Sequence, residues 1–151
     1  MSLVSTAQIL ENHNCALAVN VVTLEHAEAF VAASQKTGVG IVLQLSQNAV
    51  KYHGSLAPIG LAMLQLARQA STDIAVHLDH ATDRQLVTDA INLGFSSVMF
   101  DGSNLETAEN IRQTAAVVQE AEIKGVWVEA EIGEIGGKDG VHAPGVKTSV
   151  A

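Results

Sequence analysis

Short runs rich in β-branched residues alternate with segments of helical periodicity, and this alternation constrains the fold more than any other feature of the sequence. The periodicity predicts five strands, at 17–21, 40–45, 74–78, 97–100 and 126–132. It predicts helices at 5–11, 23–36, 56–69, 83–93 and 105–124. Because crossover connections between parallel strands are right-handed, this order of elements favours one parallel sheet covered by helices.

Two parallel architectures fit this order. A doubly wound, flavodoxin-like sheet has five strands, and a chain of 151 residues has the length for it. A (β/α)8 barrel begins in the same way but needs about 250 residues. The predicted strands recur about every 27 residues, so the chain reaches only five of the eight barrel strands. In the barrel interpretation, residues 1–151 are a single domain that covers about the first half of the barrel.

Two local patterns predict where helices begin. Thr82 with Gln85, and Ser103 with Glu106, have the spacing of a capping box. In such a box, each side chain accepts a hydrogen bond from the backbone N–H of the other residue. The two pairs are therefore expected to start the helices at 83–93 and 105–124.

The charge balance is acidic, with 16 Asp and Glu residues against 8 Lys and Arg and a formal net charge of -8. No segment is basic enough to follow a phosphate backbone, so no nucleic-acid partner is expected. The apolar segments are interrupted before they reach the length of a membrane span, so no membrane partner is expected either. The single cysteine, Cys15, excludes an intrachain disulfide and fits a reducing, cytoplasmic location.

Polar side chains gather at the predicted carboxyl end of every strand. They are Asn20, Gln44, Ser46, Asn48, Asp79, His80, Asp101, Ser103, Glu129 and Glu131. In both architectures, ligands bind beyond the carboxyl ends of the strands. This distribution predicts a ligand-binding or catalytic site at that edge of the sheet.

The segment His77-Leu78-Asp79-His80 is the sharpest local feature. Side chains alternate along a strand, so His77 and Asp79 share one face, and His80 lies where the strand ends. A carboxylate beside imidazoles can form a general base, or a metal ligand with its orienting partner. A structural alternative also fits, in which the aspartate starts the next helix and His80 is exposed in a loop.

Glu129 and Glu131 lie two residues apart on one face of an otherwise apolar strand. Two carboxylates in that position repel each other and lose hydration, and a neighbouring cation would relieve both effects. An edge strand with one wet face would explain the pair equally simply.

Taken in order, these segments resemble the class II, metal-dependent ketose-bisphosphate aldolases, which include fructose-bisphosphate and tagatose-bisphosphate aldolases. The matching segments are Ala18-Val19-Asn20-Val21, Gln44-Leu45-Ser46, Tyr52-x-Gly54, His77-Leu78-Asp79-His80, Met99-Phe100-Asp101-Gly102-Ser103 and Val128-Glu129-Ala130-Glu131-Ile132-Gly133 with Gly136-Gly137. The resemblance implies a (β/α)8 barrel and a glycolytic lyase. Such an enzyme cleaves a ketose 1,6-bisphosphate, such as fructose 1,6-bisphosphate, to dihydroxyacetone phosphate and an aldehyde phosphate.

The resemblance also implies roles for individual residues around a zinc ion. His80 is implied as a zinc ligand, Glu131 as a carboxylate able to approach the metal, and Asp101 as a supporting carboxylate near it. Asp79 is implied as the catalytic acid/base, with zinc as the Lewis acid that stabilises the enediolate.

Further positions are implied around this centre. Asn20 and Ser46 match positions that line the sugar phosphate site. Asp139 falls where the family often has a glutamate for proton exchange. A monovalent cation, Na+ or K+, is implied near Gly137.

The chain also departs from the family's pattern. Two further zinc-binding histidines from later strands, and the Gly-Ser and Asn-x-Asp-Thr loops that hold phosphate, do not occur in these 151 residues. We therefore expect negligible aldolase activity from the chain alone. We expect it to complete its barrel with a missing C-terminal half or as a homo-oligomer, a dimer or larger. The alternative class of function is a non-catalytic, doubly wound binding or assembly module.

Overall fold

The computed structural model describes residues 2–133, which contain one sheet of five parallel strands. The strands are β1 (Leu17–Asn20), β2 (Ile41–Ser46), β3 (Ile74–Ala81), β4 (Ser97–Phe100) and β5 (Trp127–Ala130). The helices are α1 (Thr6–His13), α2 (Leu24–Thr37), α3 (Gln47–His53), α4 (Leu56–Gln69), α5 (Arg84–Leu93) and α6 (Thr107–Glu122). Every predicted strand and helix is present, and the short helix α3, which was not predicted, follows β2 directly.

The strands lie side by side in the order β1-β2-β3-β4-β5, and each pair is parallel. Every crossover therefore moves along the sheet in the same direction. The alternative of a doubly wound, flavodoxin-like sheet is wrong, because that fold reverses its direction of winding and has helices on both faces. Here α2, α4, α5 and α6 pack on one face, as the outer helices of a barrel do.

The hydrophobic core lies between these helices and the sheet. Alternate residues of the central strands supply it, namely Ile41, Leu43 and Leu45 of β2 and Ile74, Val76 and Leu78 of β3. Aliphatic side chains suit this layer because central parallel strands are covered on both faces. None of the helices within residues 2–133 combines the length and the apolar character needed to cross a membrane.

Helix α1 covers the opposite face of the sheet near the amino ends of the strands. Its Ile9 is fully buried and packs with Val42 and Ala75, which point away from the main core. Ser5 and Gln8 form a capping box at the start of this helix. The carboxyl ends of the strands on this inner face remain available to polar side chains.

The two predicted capping boxes are wrong. Asp83 caps α5 in place of Thr82, and its carboxylate accepts the backbone N–H of Gln85 at 2.9 Å. Helix α6 begins without a side-chain cap, because the hydroxyl of Ser103 donates to the carboxylate of Asp101 instead. In both places a nearby carboxylate, which is a stronger acceptor than a hydroxyl, decides the local hydrogen bonding.

Leu64→Ala should lower the free energy of unfolding by about 2–5 kcal/mol, because Leu64 of α4 is fully buried in the core. Leu61 is half exposed on the same helix and is the matched control, so Leu61→Ala should change that free energy by less than about 0.5 kcal/mol. Urea unfolding followed by circular dichroism measures both. Equal losses would contradict the burial of this face of α4.

Candidate metal centre

The carboxyl edge of the sheet carries the predicted site residues that the structure describes. They are Asn20 at the end of β1, Ser46 at the end of β2, Asp79 and His80 in β3, Asp101 directly after β4, and Glu131 directly after β5. Gly137 and Asp139 lie outside the described residues. Three of the described residues, Asp79, Asp101 and Glu131, are brought together around the imidazole ring of a fourth, His80.

The backbone of β3 is irregular where it delivers His80. This residue has a left-handed φ of 45°, and the pairing with β4 shifts register between Leu78 and Ala81. In a regular strand, Asp79 and His80 would point to opposite faces of the sheet. The irregularity lets them lie side by side, with His80 Nε2 at 3.8 Å from Asp79 Oδ1. A non-glycine residue in this conformation costs about 1–3 kcal/mol, so the surrounding contacts must hold it in place.

Two carboxylates approach the other ring nitrogen of His80. Its Nδ1 lies 3.2 Å from Oδ2 of Asp101 and 3.0 Å from Oε2 of Glu131. One ligand atom from each of the three residues lies within 4.8 Å of the other two. The alternative interpretation of His80 as an exposed loop residue is wrong, because its side chain is only 22% exposed and Asp83, not Asp79, starts the next helix.

Hydrogen bonds from Ser103 keep Asp101 ionised. Its Oδ1 accepts the Ser103 hydroxyl at 2.5 Å and the Ser103 backbone N–H at 3.1 Å. Desolvation alone would raise the pKa of Asp101, but these two bonds and the neighbouring His80 together outweigh it and lower the pKa. Asp101 therefore presents a carboxylate at neutral pH, the form that binds metal ions.

Asn110 of α6 holds Glu131 in place. The side chain of Glu131 is buried. The side-chain amide of Asn110 donates a hydrogen bond to the backbone carbonyl oxygen of Glu131 at 2.8 Å. Asn110 packs directly on the buried Gly102, where a Cβ would lie 2.2 Å from Asn110 Oδ1. Only glycine at position 102 leaves room for this anchor. The wet-edge interpretation fits Glu129, which is exposed, and fails for Glu131.

The donor set fits a divalent cation. Nδ1 of His80 carries at most one proton, whereas two carboxylate oxygens lie within 3.2 Å of it. A cation among the three ligand atoms would offset the charge of both carboxylates. One imidazole with two carboxylates is suitable for zinc and for other first-row divalent metals.

Asn20 and Ser46 lie further along the same edge. Neither is hydrogen-bonded to His80 or Asp101 within residues 2–133. Ser46 is paired in register with Asp79 and also caps α3, where its Oγ accepts the backbone N–H of Ala49 at 3.2 Å. Because that bond uses Oγ as an acceptor, the hydroxyl proton of Ser46 can be donated to a ligand.

A second polar layer lies beneath the candidate metal ligands on the same inner face. His77 Nδ1 lies 2.8 Å from Ser97 Oγ, which in turn lies 3.4 Å from Thr6 Oγ1 of α1. His77 Nε2 lies 3.7 Å from Oε2 of Glu129. Burial lowers the pKa of His77, against the smaller opposing effects of Glu129 and Asp79. The imidazole is therefore neutral in the folded protein at neutral pH.

The roles of three supporting residues could not be predicted from the sequence. Ser103 was assigned to a helix cap, and Gly102 and Asn110 had no assigned role. The only available signal was the Asp101-Gly102-Ser103 sequence directly after a strand, which is typical of an Asx-type turn around a carboxylate. Nothing in the sequence connects Asn110, in the first turn of α6, to a residue 21 positions later.

Comparison with known proteins gives one consistent result. Residues 3–151 match the family model described as fructose-bisphosphate aldolase class-II. The fructose-bisphosphate aldolase of Ureaplasma parvum serovar 3 is 39% identical over 138 residues, which cover 89% of this chain and 47% of the relative. That of Staphylococcus aureus strain Mu50 is 36% identical over 153 residues, which cover 97% and 54% of the two chains.

A solved structure agrees with these relatives. A crystal structure from Coccidioides immitis, described as a fructose-1,6-biphosphate aldolase, superposes with a TM-score of 0.78 at 33% identity. The match covers 90% of this chain and 49% of that one. The chain spans about half the length of the curated relatives it matches. The expectation that it forms about the first half of a (β/α)8 barrel, with five parallel strands, is confirmed.

Gly102→Ala should lower the free energy of unfolding by about 1–3 kcal/mol, because the new methyl group overlaps Asn110. In an Asn110→Ala background the overlap is gone, so the same substitution should cost clearly less. Urea unfolding of the four members of this cycle measures the difference. Additive effects of the two substitutions would show that Gly102 and Asn110 do not depend on each other.

The lowered pKa of His77 predicts a loss of stability in mild acid. The unfolded chain takes up a proton near the usual histidine pKa of 6.5, whereas the folded chain resists it because His77 is buried. The contribution is therefore fully present above pH 6.5 and is lost as the pH falls through the lowered pKa. His77→Asn should lose less stability than the wild type between pH 7.5 and 5.5, measured by urea unfolding. Equal losses would contradict this role of His77.

Proposed function

Because this chain belongs to the class II fructose-bisphosphate aldolase family, we propose that it carries the metal-binding and proton-transferring part of a ketose-bisphosphate aldolase. The observation that supports this most directly is the convergence of His80, Asp101 and Glu131 at the carboxyl edge of the sheet. Barrel enzymes place their active sites at that edge. The sugar phosphate substrate and the low cysteine content favour a cytoplasmic location.

We propose zinc as the metal, held by His80 and Glu131 and supported by Asp101. When bound, zinc would act as a Lewis acid toward the negative charge that develops on the substrate carbonyl oxygen during carbon–carbon bond cleavage. Ser103 keeps Asp101 ionised, and Asn110 keeps Glu131 at the centre. These contacts would preorganise the proposed ligands for the metal.

Asp79 is the proposed acid/base. It lies beside His80 and is buried, with a carboxylate that can accept a proton at Oδ1 or Oδ2. In the cleavage direction it takes the proton from the hydroxyl group whose carbon becomes the aldehyde, and in synthesis it returns that proton. Asn20 and Ser46 are proposed to orient the substrate along the same edge, with the Ser46 hydroxyl as a donor.

The proposed substrate is fructose 1,6-bisphosphate, cleaved to dihydroxyacetone phosphate and an aldehyde phosphate, with tagatose bisphosphate as the second candidate. The names of the matched relatives favour the fructose compound. We retain Asp139 as a proposed proton-exchange residue and Gly137 as a proposed contact for Na+ or K+. Both lie outside the described residues.

We further propose that these 151 residues alone bind metal but do not turn over substrate. Two phosphate groups require cationic or N–H donors at both ends of the substrate. No strand within residues 2–133 carries a Lys or Arg. The family resemblance places the phosphate-binding loops and two further zinc-binding histidines on later strands, so the remaining groups would come from the rest of a barrel or from a second copy of the chain.

Titration of the 151-residue chain with Zn2+ or Co2+ tests the proposed centre. The wild type should bind one ion, and His80→Ala or Glu131→Gln should weaken binding at least about tenfold, because each removes a ligand. His13→Ala is the matched control, since His13 pairs with Asp73 on another part of the surface and should leave binding unchanged. Isothermal calorimetry measures the affinities.

Two results would contradict the proposal. Unchanged affinity in both ligand variants would place the metal elsewhere. Sustained cleavage of fructose 1,6-bisphosphate by the wild-type 151-residue chain, in an assay coupled to triose phosphate release, would show that the phosphate-binding groups lie within it.

A further inference from the structure

The three metal-site residues belong to three neighbouring strands. His80 lies in β3, Asp101 follows β4 and Glu131 follows β5. Their distances therefore depend on how these three strands are held relative to one another. Regular backbone pairing would ordinarily supply that restraint.

Backbone pairing fails where the restraint is most needed. Leu78 is paired with Val98, and pairing resumes only at Ala81 with Phe100, so three steps along β3 correspond to two along β4. The extra residue is in the segment that contains Asp79 and His80. The ladder between β3 and β4 is thus interrupted at the level of the metal ligands.

A side-chain tie crosses the same strands just below the interruption. His77 of β3 is paired in register with Ser97 of β4, and their side chains are hydrogen-bonded at 2.8 Å. On its other side the ring faces Glu129 of β5 at 3.7 Å. His77 and Ser97 are buried, whereas the Glu129 side chain is 62% exposed, so the bond to Ser97 is the better defined of the two.

The hydrogen bond between His77 and Ser97 forms with either tautomer of the neutral ring. If Nδ1 is unprotonated it accepts the hydroxyl of Ser97, and Nε2 then carries the proton on the side of Glu129. Ser97 Oγ can in turn accept the hydroxyl of Thr6 on α1. Hydrogen bonds therefore connect α1 with β4 and β4 with β3, and Glu129 of β5 lies near the other end of the ring.

We propose that His77 is a positioning residue for the metal centre, which holds β3 against β4 through Ser97 so that His80 remains within reach of Asp101 and Glu131. This inference rests on the proposed metal-binding function. Residues that hydrogen-bond directly to metal ligands change metal affinity by about 10–100-fold when they are removed, and we expect the lower end of that range for a residue that acts through the strand. His77 touches none of the three ligand atoms in the described contacts, so its effect is transmitted through the strand.

The chain offers variants that separate the two sides of the ring. His77→Asn keeps an oxygen at the position of Nδ1 that can accept the Ser97 hydroxyl. His77→Gln places its terminal amide near the position of Nε2, on the side of Glu129, and leaves the Nδ1 position without a polar atom. His77→Leu removes both, and Ser97→Ala removes the partner. Ser96→Ala is the matched control. Ser96 directly precedes β4, and its hydroxyl oxygen accepts a hydrogen bond from the backbone N–H of Val76, a core residue of β3.

Co2+ titration of each 151-residue variant, followed by the visible absorption of the bound ion, measures affinity and coordination together. His77→Leu, His77→Gln and Ser97→Ala should each bind Co2+ about tenfold or more weakly than the wild type. His77→Asn should recover most of that loss, and Ser96→Ala should bind like the wild type. The double variant His77→Leu/Ser97→Ala should bind no more weakly than either single one, since both remove the same tie.

Thermal melts of the metal-free variants separate positioning from general destabilisation. If affinity follows melting temperature across all five single variants, Ser96→Ala included, His77 has only a structural role and the inference is overturned. Wild-type affinity and absorption in folded His77→Leu would overturn it as well. A wild type that binds no Co2+ would overturn the metal centre itself, and this inference with it.

Discussion

Three carboxylates, those of Asp79, Asp101 and Glu131, surround the imidazole of His80, and the carboxyl edge of the sheet is organised around this concentration of negative charge. A carboxylate taken out of water is unstable unless hydrogen bonds or a cation replace its hydration. Ser103 supplies two such bonds to Asp101. The strained backbone of His80 follows from the same requirement, because only the irregular strand places an imidazole among all three carboxylates.

The inner face of the sheet becomes more polar from the amino to the carboxyl ends of the strands. At the bottom, Ile9 of α1 seals an apolar layer with Val42 and Ala75. Above it, His77 and Ser97 form a neutral polar layer in which burial keeps the imidazole uncharged. The carboxylates of Asp79, Asp101 and Glu131 lie at the carboxyl edge of the sheet, where a ligand or a metal ion can reach them. Each layer is as polar as its access to solvent and counter-charge allows.

Much of the fold could be predicted from the sequence, because hydrophobic periodicity is a local property. Helix α4 has the predicted limits, and β4 does too. Strand order could not be derived from periodicity, since doubly wound and barrel sheets share the same alternation of elements. The choice depends on the direction of each crossover along the sheet, which the local alternation of apolar residues does not encode. Strand-end polarity located the site, yet the side-by-side placement of Asp79 and His80 contradicts simple alternation and required the structure.

The supporting residues show where sequence reasoning stops. Ser103 fits a helix cap by spacing, and it bonds Asp101 because that carboxylate is the stronger acceptor within reach. Asn110 supports Glu131 only because Gly102 leaves space for it, a relation among three elements that no spacing rule contains.

The placement of the candidate ligands on neighbouring strands is consistent with the proposed separation of a metal site from the rest of a substrate site. All three candidate ligands come from the adjacent strands β3, β4 and β5, so these strands in their register are enough to bring the candidate ligands together. The proposed bisphosphate substrate would need donors at both of its ends. The described strands offer Asn20 and Ser46 along the edge and carry no Lys or Arg. The proposed function therefore assigns metal binding to these adjacent strands and assigns the charged phosphate contacts to residues outside them.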